Sequence, residues 1–288
     1  MLQMILSGIA TGSLYALGAF GLVLIFKTTH VVNFAQGDMA MLSTFVAFSA
    51  MTSYGFSYFT AFIVALIFAA ILGVVVERVF MRPAQGSGHL TLLIITVGLL
   101  LIMDGIAGWI WGYSPNSFPR AFTGDSVNIL GAGLAPHSIF IICLVLVIMV
   151  GMFLFFKKSM AGIAMRATAE DITTARLMGI NVNKVFLLTW GVSSVLGAIA
   201  GILIAPVTYL FIGYMMDIQI KAFSAAVLGG FTSLPGAVLG GILLGVMENF
   251  VGVYISTGLG STIAFLLIII MLWFKPTGLL GKKTRKKV

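Results

Sequence analysis

Apolar residues run along this chain in long stretches separated by short polar breaks, with little of the polar interleaving that marks a half-buried helix or strand. A helix that crosses a bilayer needs about 20 mostly apolar residues. Stretches of that kind fall at about 4–26, 34–52, 59–77, 90–112, 138–156, 185–207 and 259–274. A further apolar stretch, 216–254, is interrupted at Ser233-Leu234-Pro235-Gly236. Proline removes a backbone donor and Pro-Gly is a turn signal, so this pattern predicts two short helical pieces. They would form a re-entrant hairpin, tolerable in a membrane where protein surrounds the break. The expected fold is therefore an all-α integral membrane protein with seven complete spans plus a broken segment, eight to nine hydrophobic helices in all. If both pieces of 216–254 cross fully, the spans number nine. The first stretch has no basic residues ahead of it, is too long for a signal peptide and is not followed by a small-residue cleavage site, so it reads as a retained helix.

Composition reinforces the pattern. Hydrophobic residues make up 60% of the 288 positions and charged residues 8%, against about 25% charged in soluble domains. A soluble fold of this length has too little interior to hide so much apolar surface. The 34 glycines and seven prolines fit as well, because both are commoner in membrane helices than in soluble ones.

The net charge of +8 changes the picture only through its distribution. The basic residues sit in a few loops and a tail, without the basic face that a nucleic-acid binder presents. Lys27, then Arg78 and Arg82, then Lys157, Lys158, Arg166, Arg176 and Lys184 follow alternate spans, and Lys275, Lys282, Lys283, Arg285, Lys286 and Lys287 end the chain. With the N-terminus outside, these 14 of the 16 basic residues face the cytoplasm, Arg120 lies outside and Lys221 sits in the broken segment. The positive-inside rule thus predicts an N-out/C-in orientation. Small-x3-small pairs at Gly8/Gly12, Gly197/Gly201, Gly236/Gly240 and Gly241/Gly245 mark where helix backbones can approach closely.

Candidate chemistry is sparse. Cys143, alone in the chain, lies in an apolar run and reads as a small core hydrophobe. His30, His89 and His137 lie near the ends of apolar runs and read as interfacial, so no metal site is expected and no cofactor is implied. The sequence has no Gly-x4-Gly-Lys-[Ser/Thr] phosphate loop, no Gly-x-Ser-x-Gly elbow, no His-Glu-x2-His and no cysteine pair. Catalysis by the chain itself is not expected.

Two polar segments remain. The connection 157–184 is the longest on the predicted cytoplasmic side, and it contains good helix formers, apolar positions that alternate with Arg166 and Glu170, and a C-capping candidate in Gly179. Such an amphipathic helix lies on the bilayer, docks into a partner's groove or stays solvated. Asn33 and Gln36 at the start of the second span fit a capping box. Asp38 lies deeper, where an ionised carboxylate is costly and should face protein or a wet cavity. Asp104, Asp217, Lys221 and Glu248 are further intramembrane charges, of which Asp217 and Lys221 stand at i, i+4 and could neutralise one another. Structural pairing and pathway lining are both open for this set.

Three motifs in order point to a family. Val32-Asn33-Phe34-Ala35-Gln36-Gly37-Asp38 comes first, followed by Ala164-Met165-Arg166-Ala167-Thr168-Ala169-Glu170-Asp171 with Ala175-x3-Gly179-Ile180. The third is Lys221-Ala222-Phe223-Ser224-Ala225-Ala226-Val227-Leu228-Gly229-Gly230 with Pro235-Gly236-Ala237-Val238-Leu239-Gly240-Gly241. Together, and nearly end to end, the chain resembles the LivH-type permease subunits of branched-chain amino acid ABC importers. The resemblance implies one permease domain over 1–288 in a bacterial inner membrane, with a coupling loop at 157–184 and a basic cytoplasmic tail at 275–288. It implies partnership with a second, related permease, two cytoplasmic ATPase subunits and a periplasmic substrate-binding protein that docks on outer loops including 113–137. The 161–180 region would be the coupling helix, with Arg166, Glu170, Asp171, Arg176 and Gly179 facing the ATPase. Asn33, Gln36 and Asp38 would be pathway residues. The wider superfamily carries a Glu-Ala-Ala-x3-Gly core in that loop, whereas Thr173-Thr174-Ala175-x3-Gly179 keeps the alanine and glycine and lacks the acid. The alternatives are an ion-gradient-driven secondary transporter or channel, an intramembrane enzyme, or a permease of the same superfamily for another small solute.

Overall fold

The computed structural model describes residues 1–281 apart from 123 and 130, and it is almost wholly helical. The helices are α1 (Leu2–Thr29), α2 (Gln36–Thr52), α3 (Tyr58–Val75, continued as a π-helical turn over Val76–Met81), α4 (His89–Trp111) and α5 (Pro136–Lys158). They continue as α6 (Met160–Glu170), α7 (Ile172–Leu177), α8 (Val182–Thr208), α9 (Met215–Gly229), α10 (Leu234–Tyr254) and α11 (Gly260–Phe274). Six of them, α1, α3 with its π turn, α4, α5, α8 and α10, are long and apolar enough to cross a membrane. Between α4 and α5 lies a feature absent from the hydropathy pattern, a small antiparallel hairpin of β1 (Val127–Ile129) and β2 (Ala132–Leu134).

Long-range packing gathers the chain into two compact units. One comprises Leu24–Ala121 and Leu146–Met216. Within it α3 shows how the sequence sorts itself between protein and lipid. Ala61, Ala65, Ala69 and Gly73 repeat every four residues and are buried, while Ile63, Ile67 and Ile71, on another face, are exposed. The small stripe lets α8 approach until a Cβ at Gly73 would stand 2.5 Å from the Trp190 carbonyl. Large apolar side chains are left outside, the arrangement expected where the surrounding solvent is hydrocarbon. Gln36 pairs with Ser193, and Gly201 lies against Thr44, so α2 and α8 run in the same direction. Thr96 beside Val32 and Trp111 beside Ser49 give α4 that direction too.

The other unit comprises Met1–Val23, Phe122–Val145 and Asp217–Val288. Here α1 and α10 are antiparallel and touch through backbone. A Cβ at Gly8 would come 2.6 Å from Val246 Cα, and one at Gly12 would come 2.8 Å from the Gly241 carbonyl. The α9–α10 connection corrects the expectation of two short pieces. Pro235 occupies the first turn of α10, where its missing N–H costs nothing, and the Ser233 hydroxyl caps the helix by accepting from Gly236 N–H. The proline therefore opens a 21-residue helix of full spanning length, and only α9, at 15 residues, is short. Cys143, expected as a small core residue, is exposed on α5, whose apolar surface is largely uncovered. The basic residues from Lys282 to Lys287 lie outside the described residues.

Candidate functional site

The connection between α5 and α8 is built as two helices rather than one. Asp171, extended at φ −158° and ψ 117°, ends α6 and starts α7, its carboxylate accepting from Thr174 N–H. A short polar side chain that caps the next helix competes with helix continuation, which is why the run breaks at this residue. α6 folds back on the end of α5 through Gly162, where a Cβ would meet Phe156 Cα at 2.6 Å. Gly162, Met165 and Thr168 form its buried side, while Arg166 and Glu170 are exposed. Among the ion pairs of the described residues these two do not appear together, in keeping with the mere 0.3–0.5 kcal/mol or about that much that an exposed i, i+4 pair contributes.

α7 ends in a Schellman turn. Ile180 N–H donates to the Ala175 carbonyl and Gly179 N–H to that of Arg176, with Gly179 at φ +81°. Ile180 and Ile172 pack on Ala175, Val182 and Phe186, fixing α7 to the start of α8. Arg176 projects outward beside Leu177 and Met178, which are 83% and 78% exposed. The resulting knuckle leaves Arg166, Glu170, Asp171, Arg176, Leu177 and Met178 exposed to its surroundings.

The second segment differs from the capping box expected. α2 begins at Gln36 with Ala35 as its cap residue and no side-chain cap. Asn33, fully buried, instead accepts from Ala35 N–H in a local turn, and Gln36 Oε1 accepts from the Ser193 hydroxyl of α8 at 3.2 Å. Burial against α8 gives Gln36 a partner that a solvent-facing cap would lack. Asp38 is also buried, and Asp104 of α4 lies close enough to act on its carboxyl. Asp104 Oδ1 is buried without a hydrogen-bond partner.

In the other unit, Lys221 Nζ lies 2.7 Å from Asp217 and 2.6 Å from Glu248, whose second oxygen accepts from Tyr15 Oη at 2.7 Å. Thus Asp217, Lys221 and Glu248 form one cluster, and Asp38 and Asp104 a separate pair. Among the described residues, no group of three His, Cys, Asp or Glu side chains is placed to hold a metal.

Sequence reading missed Glu77. It is fully buried in the π turn, where Arg82 grips it with two bonds, at 3.2 and 2.8 Å, and also donates to the Asn183 carbonyl. An acid closing an otherwise uncharged apolar run, with arginine five residues on, was the available signal. The π spacing of i to i+5 stacks these two side chains. A pocket of about 240 Å³ lies among Val46, Ser49, Ala50, Tyr54, Phe56, Val64 and Trp111. It is apolar, and its indole N–H already donates to Ser49.

With this geometry in place, comparison with known proteins is specific. Residues 4–272 match the family described as the branched-chain amino acid transport system permease component. The high-affinity branched-chain amino acid transport system permease protein BraD of Pseudomonas aeruginosa is 34% identical over 302 aligned positions, covering 100% of this chain and 98% of that protein. The corresponding permease protein LivH of Salmonella typhimurium is 33% identical, covering 100% and 97%. Among solved structures, an inward-facing conformation of a metal-chelate type ABC transporter aligns with TM-score 0.53 over 94% of this chain and 85% of that one, at 17% identity, which is a likeness of fold.

Proposed function

The chain belongs to the family of branched-chain amino acid transport permease components, and from that premise we propose that it forms half of the translocation pathway of an ATP-driven importer for branched-chain amino acids. It is a transmembrane permease subunit, a transport component. The observation that carries the coupling reading is the α6–α7 knuckle. It is anchored by glycine packing and a Schellman turn, yet leaves Arg166, Glu170, Arg176, Leu177 and Met178 uncovered. A rigid, mixed apolar and charged projection is what a groove on a partner protein recognises. We assign that partner as a cytoplasmic ATPase, one of two, with a second, related permease completing the pathway and a periplasmic binding protein docking on outer loops including 113–137. Substrate selection would reside largely in the binding protein, since a zwitterion with an aliphatic side chain needs no strong charge along its path.

ATP binding and hydrolysis would move the knuckle and so switch which side of the membrane the pathway faces. Asn33, Gln36 and Asp38 are proposed to line the pathway, Asp104 through its contact with Asp38. Reconstitution in proteoliposomes with the ATPases and binding protein should give ATP-dependent leucine uptake. Gradient-driven uptake by this chain alone would overturn the importer reading in favour of a secondary transporter. Within the reconstituted complex, Glu170→Arg combined with Arg176→Glu should lower uptake at least tenfold while membrane insertion is kept. Unchanged uptake would remove the docking role.

A further inference from the structure

Lys221 has two counter-ions where one would neutralise it. Its ammonium is 2.6 Å from Glu248 on α10 and 2.7 Å from Asp217, one turn back on its own helix. It also lies 5.4 Å from the centre of the Tyr15 ring of α1, and Tyr15 Oη donates to Glu248. Asp217 remains half exposed, at 51% for its side chain, in the first turn of α9, where the helix dipole favours a carboxylate. Towards α1 and α10 the rest of α9 packs through small groups, while Val227 and Leu228 near its end pack on Met271 of α11. Gly18 faces Ala222, Ala225 faces Gly240, and Gly229 faces Gly236 at the connecting turn.

A static ion pair gains little from a second acid that is half exposed and screened by solvent. The arrangement acquires a purpose if α9 moves. Asp217 travels with Lys221, whereas Glu248 stays on α10 beside Tyr15. When α9 leaves α10, Lys221 keeps Asp217 and Glu248 keeps the Tyr15 hydroxyl, so no charge is stranded unpartnered in the low-dielectric layer. We propose that the Lys221–Glu248 pair is a releasable clasp, that Asp217 is the standby partner permitting release, and that α9 pivots on the glycine contacts at its connection to α10. This rests on the importer reading insofar as it makes α9 a moving element of the transport cycle.

The clasp predicts opposite effects from removing two acids that touch the same lysine. In the assembled transporter in nanodiscs, Glu248→Gln should open the clasp and speed amide hydrogen exchange over residues 218–226 at least tenfold, leaving α11 unchanged. Asp217→Asn should hold the clasp shut, slowing exchange over the same residues at least tenfold and cutting ATP-driven leucine uptake by a similar factor, with Asp217→Glu restoring both. A purely structural cluster would lose order in both variants, so acceleration in both, or no change in either, overturns the proposal. Should Glu248→Gln fail to insert, Tyr15→Phe takes its place and must accelerate exchange more weakly. The exchange measurement needs no transport. No ATP-driven uptake by the wild-type protein, together with the opposed exchange pattern in the two variants, would sink the importer reading and leave the clasp standing.

Discussion

At the level of single residues, backbone conformation separates what the sequence announces from what it conceals. Gly179 is legible as a helix stop from residue type alone, because a positive φ at a C-terminal turn is a glycine position. Tyr209 is not. It stands at φ +66° and ψ +157°, a region close to glycine-only, just after Pro206 in the last turn of α8. The two hydrogen bonds joining Asn116 and Leu210 at 2.8 and 2.9 Å hold the residue that follows it. Replacing Tyr209 by glycine should therefore relieve about 1–2 kcal/mol of backbone strain, which alanine cannot do. Alanine ordinarily beats glycine through unfolded-state entropy. Thermal melting in detergent should show the reverse order here, Tyr209→Gly melting above Tyr209→Ala, and the ordinary order would show an unstrained backbone. Asn33 makes the same point from the other side. Its residue type fits a cap, yet burial recruits it to a local turn and sends Gln36 to Ser193 on α8. Sequence distance of 157 positions hides such a partner.

At the level of elements, periodicity locates nearly every helix because lipid enforces long apolar runs, but it is silent on faces. In α3 the isoleucine and alanine stripes are both apolar, and only their size tells which side meets protein. The π turn at its end is likewise invisible, since nothing in local propensity distinguishes it from α-helix. Its consequence is the Glu77–Arg82 pair, with the glutamate fully buried and the arginine side chain 29% exposed. Removing Arg82 strands the fully buried glutamate, at about 3 kcal/mol. Arg82→Gln should accordingly lower stability by about that amount, while Arg82→Gln with Glu77→Gln should recover much of it. A double-mutant cycle on the melting temperature or on the retained folded fraction checks this, and additive losses would mean the pair is not coupled.

At the level of the whole molecule, composition places the chain in the bilayer and three ordered motifs place it in its family. Orientation rests on a separate argument. The loops and tail assigned to one side carry 14 of the 16 basic residues, and each basic residue near a membrane end biases that end toward the cytoplasm. Helix directions agree within each unit. α2, α4 and α8 run one way, and α1 runs against α10, as alternation requires. Because α9 and α10 return the chain to one side whether they cross fully or form a hairpin, the orientation does not depend on which they do. We therefore propose N-out/C-in in a bacterial inner membrane, and site-directed labelling tests it cleanly because Cys143 is the one cysteine in the chain. In a Cys143→Ser background, a cysteine at Tyr113 should react with a membrane-impermeant maleimide in intact cells. A cysteine at Met178 should react only after the membrane is opened, and a fluorescent reporter fused after Val288 should fold and glow in the cytoplasm. Labelling of Met178→Cys from outside would invert the topology. It would also place the α6–α7 knuckle beyond reach of any cytoplasmic ATPase.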